Sequence, residues 1–187
     1  RLETFHFTLK HERGSIQLIP GLDIDEAEGD IVSPDKLEVK FTGVFGKGYA
    51  IKSGLITLGD SSYMLNPLTG EWEAAETGVT PLGFFNPRQG ISSMMSKLQQ
   101  PRQLEAVSGD RQVHRLAGSL PAEALAPLLG ETLKDATVLI ELAIDSKGLH
   151  LLEARLIGPV TPSDVQEVVR VLTVSNFNEP VSIEPPE

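Results

Sequence analysis

The segment Lys36-Leu-Glu-Val-Lys-Phe-Thr-Gly-Val-Phe45 decides the fold class, because apolar residues alternate with polar residues along most of its length. Side chains of a β-strand point alternately to its two faces, so the pattern predicts a strand with one buried face. Gly46-Lys47-Gly48 then predicts a turn, and Tyr49 to Leu58 predicts a second strand with a bulge or bend at Gly54. Together they predict an antiparallel hairpin.

Similar patterns on both sides of the hairpin extend it into a large antiparallel sheet. Residues 2–11 alternate, with Phe5 and Phe7 on one face, and residues 29–33 predict another strand. The acidic run from Asp23 to Asp30 is expected to form a solvated turn instead. Further strands are predicted around Tyr63 and at residues 16–19, 103–108, 111–120, 137–145, 149–157 and 167–175.

Two apolar segments predict helices. Asn86-Pro87 has the residues of an N-cap and a first helical position, and the helix is expected to reach Leu98. Pro121 to Leu129 predicts a second, shorter helix that Gly130 ends. The predicted fold is therefore α+β, with a curved antiparallel sheet, or half-barrel, wrapped around helices on its concave face.

Length and charge restrict the partners. The 187 residues fit a single domain, 1–187, in which residues 180–187 are expected to fray. The chain has 16 Lys and Arg against 26 Asp and Glu, a net charge of −10. Because nucleic acids and anionic membrane surfaces attract basic proteins, this charge disfavours both as electrostatic partners, and we expect no nucleic acid partner.

No pattern of residues predicts catalysis or metal binding. The acidic run has Ala27 where an EF-hand loop would need a ligand, and the four histidines are spread over separate predicted strands. Gly59-Asp60-Ser61 lacks the spacing of a hydrolase nucleophile elbow, so an esterase would need a cluster of Ser, His and Asp that the sequence does not display. We therefore expect no enzyme activity, no cofactor and no metal.

The apolar helices allow two interpretations. Ile91, Met94, Met95 and Leu98 recur at helical spacing and, with the leucines at 125, 128 and 129, would cap the core of the sheet. The same flexible methionines would also suit a pocket for acyl chains. The residues alone leave both interpretations open.

Several segments carry a resemblance to a known family. They are Glu28 to Leu37, with its Gly-Asp and Pro-Asp pairs; Tyr63-Met-Leu-Asn-Pro-Leu-Thr-Gly-Glu-Trp72; Phe85-Asn-Pro87; and the final stretch from Val174 to Pro186. In this order they span nearly the whole chain and resemble the LppX/LprAFG lipoproteins, a family best known from mycobacteria.

The resemblance implies a half-barrel with an apolar cavity that holds the acyl chains of lipids or glycolipids. It also implies export and anchoring to the outer face of the cell membrane through a lipidated N-terminal Cys. The sequence contains no Cys, so anchoring is an expectation for a longer precursor. Strand parity and helix stripes predict the cavity residues as Phe41, Ile51, Leu55, Tyr63, Trp72, Phe84, Phe85, Ile91, Met94, Met95, Leu98, Leu125, Leu128, Ile140 and Leu142.

The predicted function is that of a non-enzymatic lipid-binding lipoprotein that carries or presents acylated lipids. Tyr63 and Trp72 are expected at the mouth of the cavity, because each joins a large apolar body to one polar group. The alternative is a cell-envelope module with a filled core that binds a protein partner through the outer sheet face or residues 73–87.

Overall fold

The computed structural model describes residues 2–19, 22–46, 48–75, 91–105, 113–126 and 131–186. The strands are β1 (Thr4–Arg13), β2 (Ile16–Ile19), β3 (Leu22–Val32), β4 (Lys36–Phe45), β5 (Tyr49–Leu58), β6 (Ser61–Leu65), β7 (Trp72–Ala74), β8 (Gln99–Gln103), β9 (Val113–Pro121), β10 (Thr137–Asp145), β11 (Leu151–Ile157) and β12 (Val169–Ser175). A helix, α1 (Ile91–Ser96), precedes β8, and a 3-10 helix (Ala122–Leu125) follows β9.

The strands form one antiparallel sheet in the order β7-β6-β5-β4-β3-β1-β12-β11-β10-β9-β8, with β2 paired to β3 beside this path. Most neighbours are consecutive in sequence and joined by short turns. The exception is the centre, where β1 lies between β3 and β12 and so joins the first and last parts of the chain. The sheet does not close, and β7 and β8 are its edges.

One face of the sheet carries the core. Residues directly opposite each other in an antiparallel ladder share a face, and Phe7 pairs with both Val174 and Gly29. The same row continues through Val39 to Leu55. We call this side the core face, and the burial of Phe5, Phe7, Val39, Leu55 and Val174 identifies it.

The predicted α+β class is wrong. Strands account for 57% of the structure and helix for 5%, and no helix in the described part reaches seven residues. Within the predicted helix up to Leu98, the described helical residues are 91–96, and the chain enters strand β8 at Gln99. Pro121 is the last residue of β9, opposite Thr137, and the described residues after it begin with a 3-10 helix, Ala122–Leu125. Residues 86–90 and 127–130 lie outside the described residues.

The physical reason is that neither segment holds a helix by itself. Isolated helices shorter than about 12 residues are marginal in water, so tertiary packing decides their conformation. Here the backbone groups of residues 99–103 pair with β9 instead of continuing α1. Apolar spacing alone predicted these helices, and short buried segments of any conformation can have the same spacing.

The acidic run Asp23 to Asp30 is also not a turn. It belongs to β3, which hydrogen-bonds to β1 on one side and to β4 on the other. Ile24 is buried, whereas Asp25 and Glu26 are exposed. The carboxylates thus point to solvent from a strand whose ladder bonds stabilise it, and a bulge between Ile24 and Glu26 accommodates the extra residue.

Three strands predicted from alternation, Lys36–Phe45, Tyr49–Leu58 and Thr137–Asp145, are confirmed with the same bounds. The ladder between β4 and β5 runs through Gly54 without a register shift, so no bulge occurs there. The C-terminal segment, expected to fray, follows the start of β1. Asn178 N donates to Thr4 O over 2.8 Å, and Ile183 is 2% exposed.

Candidate functional site

The largest apolar feature is a cluster of buried side chains on the core face, which we call the core-face cluster. It brings together strands from both halves of the sheet, the helix α1 and the 3-10 helix. Its members include Leu37, Leu120 and Leu125, each at most 1% exposed. The complete buried set is Phe5, Phe7, Ile31, Leu37, Val39, Leu55, Met94, Leu120, Ala122, Ala124, Leu125, Val138, Ile140, Leu142, Ala154, Leu156, Val160, Leu172 and Val174.

Many of the predicted cavity residues belong to this cluster or touch it. The buried members are Leu55, Met94, Leu125, Ile140 and Leu142, and Met95 and Leu98 pack against them, half-buried. Leu98 lies directly over Gly118 of β9, where an added Cβ would be 2.8 Å from Leu98 Cδ1. The 3-10 helix thus supplies Leu125, and α1 with the residues just after it supplies Met94, Met95 and Leu98, whereas the remaining three belong to strands β5 and β10.

Phe41 and Ile51 lie further along β4 and β5 on the same face. Phe41 is buried with Ile24 in a second, smaller cluster, and Ile51 and Ala27 pack against that pair. Phe41 pairs with Ala27 across the ladder, and Ile51 pairs with Gly43. Of the other predicted residues, Phe84, Phe85 and Leu128 lie outside the described residues, and for Ile91 only the backbone is described.

Tyr63 and Trp72 lie on the opposite face of the sheet. Tyr63 pairs with Ile56, which is adjacent in sequence to the core-face residue Leu55 and therefore points the other way. Trp72 shares that face and covers Gly54, where an added Cβ would lie 3.2 Å from Trp72 Cη2. The two side chains therefore do not adjoin the core-face cluster, and we leave them out of the proposed lipid site.

A buried ion pair lies on the core face near one end of the sheet. Arg170 of β12 is 1% exposed and pairs with Asp164, whose side chain is fully buried in the connection between β11 and β12. Asp164 Oδ2 also accepts hydrogen bonds from Val160 N (2.7 Å) and Thr161 N (2.9 Å). Burial alone raises the pKa of Asp164, but the hydrogen bonds from Arg170, Thr161 and Val160 outweigh it and lower the pKa below its usual value.

His11 adjoins this pair, directly opposite Arg170 in the ladder. Its Nδ1 lies 2.8 Å from the carbonyl oxygen of Asp25, and burial lowers the pKa of the imidazole. Among the described residues, Nε and Nη1 of Arg170 and Nε2 of His11 are buried without a hydrogen-bond partner. Buried polar atoms without a hydrogen-bond partner cost free energy. The Asp164 carboxylate is therefore the main compensation for burying the charge of Arg170.

Sequence reasoning missed this ion pair. The available signal was one Arg in the apolar run Val168-Val-Arg-Val-Leu172, at a position whose parity places it on the core face. A charged residue at such a position is almost never fully buried unless it is paired. Its partner, Asp164, could not be found in the same way because it lies in a connection between strands. The alternation of apolar and polar residues does not predict the path of a connection.

An open groove of ≈ 470 Å³ lies where the C-terminal segment meets the start of β1. Its walls are Glu3, Thr4 and residues 178–182, so none of the predicted cavity residues lines it. Two carboxylates among these residues make it a poor site for an acyl chain. The groove is therefore separate from the core-face cluster.

The histidines outside the ion-pair region lie in separate surroundings. His6 Nδ1 lies 2.9 Å from Asp30 Oδ1, His150 stacks on Phe177 with ring centroids 4.6 Å apart, and His114 is exposed. The described ranges contain no group of three or more His, Cys, Asp or Glu side chains that could hold a metal ion. In the same ranges no helix has the length and apolar character needed to cross a membrane.

Comparison with known proteins identifies relatives of both sequence and fold. Residues 1–183 match the family described as LppX_LprAFG lipoprotein. The crystal structure of LprF from Mycobacterium bovis is similar with a TM-score of 0.73 and 14% sequence identity, over 99% of this chain and 90% of that one. That of the lipoprotein LppX from Mycobacterium tuberculosis has a TM-score of 0.63 and 19% identity, over 98% of this chain and 90% of that one. No curated protein matches the sequence.

Proposed function

Because the chain belongs to the LppX/LprAFG lipoprotein family, we propose that it is a non-enzymatic, extracytoplasmic lipoprotein that binds acylated lipids or glycolipids and carries or presents them. Its anchor is a lipid attached to the N-terminus of a longer precursor, at the outer face of the cell membrane. The acyl chains lie along the core face, and the bound lipid needs no cofactor.

The observation that carries the proposal is the layer of buried apolar side chains on one face of an open sheet. Rows of apolar side chains cross the sheet from β5 through β1 to β10, and short helical segments contribute Met94 and Leu125. Each buried CH₂ group of an acyl chain contributes roughly 0.8 kcal/mol. An acyl chain that lies between the helical segments and the sheet would therefore be bound mainly by the hydrophobic effect.

The face opposite the core supports the same assignment. Glu38, Lys40 and Lys52 point away from the core on β4 and β5, and Leu139 lies exposed between two core residues of β10. That side is therefore a mixed surface on which charged residues lie beside apolar ones such as Trp72 and Leu139. The lipid site is confined to one side of the sheet.

Native mass spectrometry tests the proposal. The protein is expressed with its natural leader and anchor sequence, purified gently from the cell envelope and released from its anchor by proteolysis before measurement. We expect a population whose mass exceeds that of the chain by one lipid, which solvent extraction identifies as an acylated species. A uniform lipid-free mass, combined with failure to bind lipid from detergent micelles, would contradict it and favour the protein-interaction module.

A further inference from the structure

The tip of the β4–β5 hairpin carries two exposed aromatic side chains. Phe45 is the last residue of β4, Tyr49 is the first of β5, and the two are directly opposite each other. Phe45 is 49% exposed and Tyr49 is 74% exposed. We call these two residues with Gly46 and Gly48 the hairpin tip. The glycines adopt positive φ angles of 61° and 116°, as tight turns require.

Both aromatic residues continue the core face. Along β4 the core-face positions are Leu37, Val39, Phe41, Gly43 and Phe45, since side chains of one strand face share parity. Their exposure stays at 8% or less through Phe41 and then rises to 49% at Phe45. Apart from Gly43, which has no side chain, the apolar face that is covered in the core therefore continues to an uncovered end at Phe45.

The neighbouring strand repeats this gradient. On β5 the core-face positions run from Thr57, at 1% exposure, through Leu55, at 9%, and Ser53, at 5%, to half-buried Ile51 and then Tyr49, at 74%. The Ser53 hydroxyl is not free, because it donates to Leu65 O over 2.5 Å. Phe41, Ile24 and Ile51 form the apolar link between the core-face cluster and the tip. The result is an apolar path, a line of apolar side chains from the proposed lipid site to the end of the hairpin, which passes from Phe41 on β4 to Ile51 on β5 because their partners are Ser53 and Gly43.

We infer that the hairpin tip inserts into the surface of a lipid bilayer and that acyl chains pass between bilayer and core along this path. The inference rests on the proposed function. Aromatic side chains, above all those with a polar group such as Tyr, favour the boundary between water and hydrocarbon. A bilayer would bury both rings, which water otherwise surrounds, and would supply the acyl chain at the point where the apolar path begins.

The charge of the chain selects the kind of bilayer. With a net charge of −10, the protein gains no general attraction from anionic lipids. Lys47, between the two glycines in the sequence, adds one positive charge to the turn. Insertion of the two uncharged rings does not depend on lipid charge, so the tip is expected to bind zwitterionic vesicles. The appropriate probe is therefore a phosphatidylcholine vesicle at physiological salt.

The first experiment measures lipid transfer from phosphatidylcholine vesicles that contain a fluorescent phospholipid. The double variant Phe45→Ser, Tyr49→Ser is expected to slow the transfer at least about tenfold, which corresponds to about 1.4 kcal/mol. Binding of the same lipid from detergent micelles should change less than about twofold, because the core-face cluster is intact. The matched control is Leu149→Ser, since Leu149 is 70% exposed at the opposite end of the sheet.

The second experiment detects insertion itself. Trp72 is replaced by Phe, and a new Trp is introduced either as Phe45→Trp or, in the control, as Leu149→Trp. Adding vesicles of phosphatidylcholine with brominated acyl chains should shift the emission of the tip Trp to the blue and quench it, while the control Trp remains unchanged. No shift at the tip, or transfer by the double Ser variant at the wild-type rate, would overturn the inference.

The two experiments also separate this inference from the proposed function. If the wild-type protein binds no lipid from micelles, yet the tip Trp of the Phe45→Trp variant is quenched in vesicles, the lipid-binding function and the acyl path are refuted but the membrane contact is retained. A protein that binds lipid from micelles while its tip stays in water refutes the tip as the membrane contact and leaves the function intact.

Discussion

The Arg170 guanidinium donates a hydrogen bond to the Asp164 carboxylate where both side chains are fully or almost fully buried. Asp164 Oδ1 also accepts a hydrogen bond from Thr161 Oγ1 over 2.8 Å. The pair therefore ties the connection between β11 and β12 to the core face of β12. Removing one member would leave the other as an unpaired buried charge, which costs more than the intact pair contributes.

Asp164→Asn is expected to lower the free energy of unfolding at pH 7 by about 3 kcal/mol or more, because the Arg170 charge loses its partner. The pKa of Asp164 is lower in the folded protein than its usual value, so the carboxylate stabilises the fold above about pH 4. This contribution is lost as the pH falls through the folded pKa. Urea denaturation between pH 7 and pH 2 measures both effects, and the variant should show a weaker loss of stability in acid.

The control for that measurement is Glu131→Gln, which removes an exposed carboxylate. Its stability and its acid dependence should match those of the wild type. Equal acid dependence in Asp164→Asn and the wild type would show that other groups account for the loss of stability.

Trp72→Ala is expected to reduce stability without a selective loss of lipid. The ring covers Gly54 on the face opposite the core, so its removal exposes apolar surface worth about 2 kcal/mol but does not alter the core face. Chemical denaturation and lipid occupancy by native mass spectrometry, measured on the same samples, check the two parts. A protein of unchanged stability that has lost its lipid would contradict this and support Trp72 at a cavity mouth.

Ile183→Ala is expected to lower the free energy of unfolding by about 2–4 kcal/mol, because the side chain is 2% exposed and truncation leaves a cavity. Thermal and urea unfolding measure the change. Ser182→Ala, at the exposed neighbouring position, should have almost no effect. If Ile183→Ala were equally silent, the C-terminal segment would be fraying, as its proline-rich sequence suggested.

Met94→Trp tests whether the core face accepts lipid. In a face that opens for an acyl chain, the larger ring occupies the space of the ligand, and lipid occupancy should fall at least about tenfold relative to wild type. In a filled core the substitution would cost about 1–3 kcal/mol of stability through overpacking and displace no lipid. Leu139→Trp is the control, since Leu139 is 58% exposed on the opposite face.

Local alternation predicted much of the sheet. In Lys36–Phe45 and Thr137–Asp145 every second residue is apolar, and both strands are observed with the predicted bounds. It also placed Leu55, Ile140 and Leu142 on the apolar face of the sheet, where they are buried in the core-face cluster, while their predicted role in lining a cavity stays a prediction. It failed at Asp23–Asp30, where ladder bonds to strands on both sides stabilise a strand whose own side chains are largely acidic.

The position of Tyr63 and Trp72 shows a second limit. Their amphipathic side chains suggested a boundary between core and water, but such side chains suit either face of a sheet. The face follows from the register between β5 and β6, in which Tyr63 is opposite Ile56 and not Leu55. A register shifted by one residue would place Tyr63 on the core face, and nothing in the composition of the segment specifies the register.

The sequence by itself determined that this is a protein of antiparallel strands with one apolar face, and its motifs indicated the lipoprotein family. These properties follow from local sequence patterns, so they can be predicted without knowledge of the fold. Only the tertiary structure decided that the sheet stays open, that Arg170 meets Asp164 inside it, and that the apolar face continues to Phe45 and Tyr49. Each depends on which strands become neighbours, and strand pairing is set by the burial of the whole chain.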